Sequence, residues 1–161
     1  MTNLRIGFGY DFHRLKPGLN LILGSVEIPH FKGVVAHSDG DILIHSIADA
    51  LLGAAALGDI GLFFPDNDLK NKNIDSAIIL STVIKKLNER SFKIVNIDST
   101  ILLEKPKLQP FITTIRSSLS NLLSISLEQI NIKATTGEGM GPVGKQDGIA
   151  CYVTVLIEKM Q

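Results

Sequence analysis

The sequence predicts an α+β fold in two layers: a single mixed β-sheet with helices packed on one face, plus a short β-hairpin. Three observations lead there. Segments of period two and of period 3.6 interleave in the order strand, hairpin, helix, helix, strand, helix, strand, strand. Two short apolar runs meet at Gly24-Ser25, a tight hairpin signal. No repeat, low-complexity tract or linker divides the 161 residues, so one domain spanning 1–161 is expected.

Each element has its own signature. Leu4 to His13 alternates, with Ile6, Phe8, Tyr10 and Phe12 on one face and Gly7, Gly9, Asp11 and His13 on the other. Asn20–Leu23 and Val26–Ile28 form the hairpin, closed by Pro29. Ala36 to Gly58 opens with the polar elbow His37-Ser38-Asp39-Gly40 and continues as one helix. Its wide stripe of Ile42, Leu43, Ile47, Ala48, Leu51, Leu52, Ala54 and Ala55 faces a core. Asp41, His45 and Asp49 fall at i, i+4 and i+8 and stack on one side of it. The loop from Gly58 to Asp68 holds Ile60, Leu62, Phe63 and Phe64, too apolar for a solvated linker; it is core packing or a substrate wall.

The second half repeats the pattern. Ile74 to Arg90 is a helix with Ile74, Ala77, Ile78, Val83, Ile84 and Leu87 inward and cations near its C-terminus. Phe92 to Leu103 is a strand broken by Glu104-Lys105-Pro106-Lys107. Pro110 to Leu123 is a helix, and Ser126-Leu127-Glu128-Gln129 matches a capping box. Ile130–Thr135 and Gly148–Glu158 are strands flanking a glycine-rich connection.

Composition narrows the function. Hydrophobic residues make up 45% and the formal net charge is zero, so there is no general attraction to nucleic acid or to an anionic membrane. The run Ile42–Gly58 is interrupted by His45 and Asp49 and does not suit a membrane span, and Met1 to Arg5 leads into a strand pattern without an apolar signal region. The single cysteine, Cys151, excludes an intrachain disulfide and fits a reducing cytoplasm; its apolar strand setting suggests a buried, inert thiol.

Three groups of residues suggest chemistry. Asp11 and His13 leave the same strand surface about 7 Å apart, and His45 lies on the following long helix. Two imidazoles and a carboxylate suit zinc and leave its fourth position open, the catalytic pattern, whereas structural sites close all four positions, mostly with cysteine. Lys133-Ala134-Thr135-Thr136-Gly137-Glu138-Gly139-Met140-Gly141 ends a strand in two threonines and a glycine-rich loop with one carboxylate. Such a loop can hold phosphate oxygens, and Glu138 can hold Mg²⁺ beside them, although glycine-rich connections also occur without function. Neither the P-loop pattern nor G-x-G-x-x-G is present. Leu103 to Gln109, a strand end with a fixed turn, can present backbone groups to a planar ring.

Taken together these residues resemble the 2-C-methyl-D-erythritol 2,4-cyclodiphosphate synthase family, enzymes of the non-mevalonate isoprenoid pathway. The resemblance rests on Gly9-Tyr10-Asp11-Phe12-His13 (an altered G-x-D-x-H), A-H-S-D-G-D from Ala36 to Asp41, and D-A-L-L-G-A-A-A-L-G-D-I-G from Asp49 to Gly61. F-P-D (Phe64 to Asp66), K-A-T-T (Lys133 to Thr136) and G-I-A-C (Gly148 to Cys151) complete it.

The resemblance implies zinc at Asp11, His13 and His45, and Mg²⁺ or Mn²⁺ at Glu138. It implies that His37 and Ser38 lie beside the reacting phosphates, with His37 and Thr136 stabilising the transition state. It assigns the methylerythritol end to Asp59, Ile60, Gly61, Phe64, Pro65, Asp66, Asn67 and Asp68. The cytidine pocket falls to Leu103, Pro106, Lys107, Leu108, Gln109, Ala134, Thr135 and Thr136. Substrate contact extends to Asp11, His13 and Glu138. The family is homotrimeric, with each active site between neighbouring subunits. Pro142 and Lys145 depart from the Phe and Arg frequent at those positions, which touch substrate or an isoprenoid-diphosphate site on the trimer axis; Lys lacks the bidentate fork of Arg.

The implied reaction is metal-assisted intramolecular phosphoryl transfer on a cytidine diphosphate substrate, 4-diphosphocytidyl-2-C-methyl-D-erythritol 2-phosphate, releasing CMP. Two alternatives use the same ligands: a zinc-dependent phosphodiesterase, in which water attacks phosphorus, and a non-catalytic binding protein whose fold zinc stabilises.

Overall fold

Residues 3–65 and 67–160 are described by a computed structural model. The first strand, β1 (Leu4–Pro17), lies near the middle of a five-stranded sheet of order β4-β1-β7-β5-β6. The others are β4 (Lys32–Val34), β5 (Phe92–Leu102), β6 (Ile130–Thr135) and β7 (Gly148–Lys159). The β5–β6 pair is parallel, with Ile97 opposite Ile130, and the remaining pairs are antiparallel. β2 (Leu21–Leu23) and β3 (Val26–Ile28) form the separate hairpin. The mixed sheet, the helical layer and the hairpin agree with expectation.

The two faces of β1 meet opposite fates. Gly7 and Gly9 lie under helix α1 (Ile42–Ala54), where a Cβ would stand 1.8 Å from the Ala50 carbonyl oxygen and 1.9 Å from that of Ser46. Only glycine lets the helix sit this close. Asp11 and His13 continue the same face and therefore also run beneath the helix. The apolar face points away from the core, leaving Ile6 73%, Phe8 63%, Tyr10 50% and Phe12 43% exposed.

α1 is buried almost all round, between the sheet, the hairpin and helix α3 (Ser76–Glu89). It is shorter than the expected Ala36–Gly58. Asp41 caps it by accepting from Ile44 N at 3.1 Å, and Gly40 and Gly58 take positive φ on either side. Asp41 also accepts from Gly24 N at 3.0 Å and Ser25 N at 2.6 Å, so one buried carboxylate fastens the hairpin to the helix start. Burial pushes that carboxyl up to about 6 despite the three backbone donors.

α3 begins at Ser76 rather than Ile74 because Asp75 caps it, accepting from Ala77 N at 2.8 Å. Ile78, expected inward, is exposed, and its neighbours Ile79 and Leu80 are buried. Three consecutive apolar residues leave the helical phase ambiguous, and packing on α1 and β5 settles it. α4 (Ile112–Leu123) follows a single 3₁₀ turn at Gln109–Phe111. The capping box forms at Ser126 and Gln129, and Cys151 is buried with its thiol pushed up to about 12 by burial. Four short elements were not expected: β4, α2 (Ile60–Phe63), a 3₁₀ turn at Leu69–Asn71 and α5 (Gly141–Gly144). Among the described residues no helix is long and apolar enough to cross a membrane.

Candidate active site and metal centre

Asp11, His13 and His45 converge, each offering one ligand atom, with all these atoms within 4.8 Å of one another. The strand supplies the first two and α1 the third, through the close approach that Gly7 and Gly9 permit. His13 Nε2 lies 3.1 Å and His45 Nδ1 3.3 Å from the same Asp11 oxygen, Oδ2. The other ring nitrogen of His13, Nδ1, is 3.0 Å from the Val35 carbonyl oxygen. A carbonyl only accepts, so Nδ1 carries the proton and the Nε2 lone pair of the neutral ring faces the carboxylate.

An imidazole lone pair directed at a carboxylate oxygen is repulsive unless a cation or a proton lies between them. The donor set therefore fits a metal ion. Burial pushes the Asp11 carboxyl up, but where protons rather than a metal lie between the groups, the protonated His13 and His45 rings donate to Asp11 and their charges outweigh burial, bringing it down to about 2. The carboxylate stays ionised, as a metal ligand must.

The triad lies in a cleft of about 790 Å³, lined also by His37, Ser38, Asp49, Ile60, Gly61, Phe64, Asn67 and Asp68. Two carboxylates hold α2 (Ile60–Phe63), whose Ile60 and Gly61 line the cleft; Asp49 lines it too, and Asp59 does not. Asp59 Oδ1 accepts from Leu62 N at 3.1 Å and caps α2, while Asp49 Oδ1 accepts from Ile60 N at 2.8 Å and ties α2 to α1. Burial, with Asp59 nearby, pushes the Asp49 carboxyl above its ordinary value. Asn71 Nδ2 donates to the Pro65 carbonyl at 2.9 Å, and Asp68 Oδ1 accepts from Lys70 N at 3.0 Å, folding the rest of the loop. Asp66 lies outside the described residues.

The residues expected around the nucleoside gather elsewhere. Leu103 N donates to the Thr135 carbonyl at 3.0 Å, Gly137 N to Glu104 Oε2 at 2.9 Å, and Thr136 Oγ1 to Glu138 Oε1 at 2.6 Å. Leu103 and Leu108 are core side chains, so only their backbone groups are available to a ligand. Lys107, Gln109, Ala134, Thr135 and Glu138 are exposed, and Pro106 is half-buried. Pro142 lies in the first turn of α5 and Lys145 caps its C-terminal end, both exposed. None of these residues lines the metal cleft.

A model of the YgbB family matches residues 4–158. The chain belongs to the YgbB family. It is 53% identical over 156 residues to the 2-C-methyl-D-erythritol 2,4-cyclodiphosphate synthase of Fusobacterium nucleatum, covering 97% of this chain and 98% of that protein. The synthase of Clostridium perfringens is 51% identical over 156 residues, covering 97% and 100%. Among solved structures, the IspF of Plasmodium falciparum in its CDP complex superposes with a TM-score of 0.88 at 34% identity, covering 100% of this chain and 99% of that one. The bifunctional IspDF of Campylobacter jejuni gives 0.95 at 38% identity over 100% of this chain. There the chain spans only 44% of the larger protein.

In this YgbB-family chain the cleft has further walls for which the sequence reading gave no role: Tyr10, Val35, Leu69, Asn71, Lys72 and Asp49. Asp49 carried a signal, since it shares the helix side of His45 one turn on. The others had none: Leu69, Asn71 and Lys72 reach the cleft through the loop that follows α2, while Tyr10 comes from β1 and Val35 from just after β4.

Proposed function

We infer that this chain is a 2-C-methyl-D-erythritol 2,4-cyclodiphosphate synthase acting as a phosphorus–oxygen lyase in non-mevalonate isoprenoid precursor biosynthesis. The observation that carries the reading is the Asp11–His13–His45 cluster in the cleft of a YgbB-family chain. Zinc is the proposed ion, since two neutral imidazoles and one carboxylate leave its fourth position for substrate; bound there, it supplies Lewis-acid stabilisation of phosphate charge.

In the proposed reaction, an oxygen of the 2-phosphate attacks the β-phosphorus of the cytidine diphosphate. The bond from that phosphorus to the oxygen bridging the α-phosphorus breaks, CMP leaves with the electron pair, and no water is consumed. The protein has to bring two anions together and hold the substrate bent. Asp59 to Gly61 and Phe64 to Asp68 grip the methylerythritol end, and Leu103 to Gln109 with Ala134 to Thr136 grip the cytidine. Holding both ends supplies orientation, worth up to roughly 7–11 kcal/mol in favourable intramolecular cases. His37 and Ser38 meet the phosphates beside the triad, and Thr136 meets them from the nucleoside side. Glu138 would hold Mg²⁺ or Mn²⁺, which would supply charge neutralisation to the diphosphate, and its hydrogen bond from Thr136 supports the pairing of these two residues.

The whole of 1–161 acts as one synthase domain, cytoplasmic, and as a homotrimer. Two observations support the trimer. The exposed face of β1, with Tyr152 beside Tyr10, is a contiguous aromatic surface that a lone subunit would leave in water. The nucleoside residues and the metal cleft also lie apart within one subunit, as a site shared between neighbours requires. Mass spectrometry of the product tests the activity. The cyclic diphosphate, with no water added, is expected; a product heavier by one water would make the protein a phosphodiesterase instead.

A further inference from the structure

His45 reaches the metal centre with Nδ1, and what stands behind its other nitrogen decides whether that atom can bind. Nε2 lies 3.0 Å from Ser76 Oγ and 3.2 Å from Ser38 Oγ. Ser76, the first residue of α3, is fully buried, and its hydroxyl lies against Asp39 Oδ1. The Ser76 backbone N–H donates to the other oxygen, Asp39 Oδ2, at 3.0 Å. Asp39 is held in turn by Asp41 N, at 3.2 Å to Oδ1, and by its own N–H on the Ile74 carbonyl at 3.1 Å.

A hydroxyl has one hydrogen, and an ionised carboxylate only accepts. The Ser76 hydrogen is therefore committed to Asp39, and towards His45 the same oxygen can only accept. That requires a proton on His45 Nε2, which in the neutral ring leaves the lone pair on Nδ1, the atom facing Asp11. Ser38 Oγ accepts from Gly40 N at 3.1 Å and can take a second share of the Nε2 proton.

We propose that Asp39 and Ser76 are positioning residues for the metal centre, a carboxylate–hydroxyl relay that holds His45 in the Nε2–H tautomer so that Nδ1 is presented to the ion. The proposal rests on the metal-site reading above. It gives the relay a place in the outer shell, where a histidine ligand donates its second ring N–H and where removing the partner typically weakens metal binding 10–100-fold. Capping of α3 does not account for Ser76, because Asp75 already performs it.

The first measurement needs no variant. Nitrogen-15 NMR of the histidine rings in the metal-free parent at mildly alkaline pH is expected to show His45 protonated at Nε2; protonation at Nδ1 overturns the proposal. The second compares zinc dissociation constants by chelator competition. Ser76→Ala is expected to weaken zinc about 10–100-fold and to leave His45 a mixture of tautomers. Ser76→Thr, which keeps the hydroxyl, should restore both. Asp39→Asn should fall between, since an amide can turn the hydroxyl towards His45. A Ser76→Ala protein that melts lower but binds zinc as the parent does would reduce Ser76 to a packing role and overturn the proposal. A parent that binds no zinc would instead overturn the metal-site reading, and the proposal with it.

Discussion

The metal end and the nucleoside end of the candidate site are built in opposite ways. Asp11, His13 and His45 project from β1 and α1, two long elements locked together at Gly7 and Gly9, and each ligand is held from behind. Phe12 N donates to Asp11 Oδ1 at 2.8 Å, the Val35 carbonyl holds His13, and two serines hold His45. The nucleoside end is a turn and a glycine-rich loop at the ends of β5 and β6, with mainly exposed side chains and backbone groups doing the holding. The contrast places the precise, pre-held geometry at the Asp11–His13–His45 cluster. A metal site needs its ligands placed to within about 0.5 Å, whereas loops with exposed side chains can be completed by another surface.

His45→Ala should break the metal end outright. The variant is expected to lose stoichiometric zinc and to fall more than about 10²–10³-fold in turnover, the loss typical of removing one transition-state stabiliser. Its fold should survive, because the helix and strand are joined by a core around the ligands. Metal analysis and circular dichroism check both halves, and full zinc content would refute the ligand assignment.

Whether the two ends belong to different subunits is tested by mixing. His13→Ala and Thr136→Ala, each nearly inactive alone, should regain activity when unfolded together and refolded at equal ratio. Random assembly in a cyclic trimer leaves about a quarter of the interfaces intact, so about a quarter of parental activity is expected. Activity equal to the mean of the two variants, with exchange verified, would place each site within one chain.

Glu138→Gln sharpens the contrast, since it alters the nucleoside end while leaving the zinc ligands untouched. Zinc content should be unchanged, and half-maximal rate should need about tenfold more Mg²⁺, a shift of about 1.4 kcal/mol. An identical Mg²⁺ titration would remove the carboxylate from metal binding.

The smallest effect is expected at Asp59. Asn caps a helix about as well as Asp, so Asp59→Asn keeps α2 in place and removes only the charge. KM should rise roughly three- to tenfold, the value of one weakened hydrogen bond, with CMP affinity unchanged. Equal losses in KM and CMP affinity would move Asp59 away from the sugar.

Much of this was legible beforehand because it depends on local chemistry. Alternation marked β1 and β7, Gly24-Ser25 marked the hairpin, and Ser126 with Gln129 marked a capping box that forms as read. The candidate ligands Asp11, His13 and His45 stood out because their residue types are few and their spacing is simple, and the family resemblance, not the spacing, singled them out. β4 and α2 were not legible, since each is held by a partner outside its own segment. β4 exists because Val34 pairs with Leu15 across the sheet, and α2 because Asp49 and Asp59 hold its first turn.

The polar line of Asp41, His45 and Asp49 shows where local information ends. Helical geometry puts the three on one side of α1, and that follows from their spacing alone. What each one holds depends on which segment the fold brings to it: the hairpin backbone for Asp41, the metal cluster for His45, and α2 for Asp49. The same applies to β1, whose alternation assigns residues to two faces without saying which is inside. The glycine face lies under the helix because only a surface without side chains admits a backbone so close, and the aromatic face is left outward. Periodicity is a property of one segment. Partnership is a property of two, and the free energy that selects it comes from surfaces far apart in the chain.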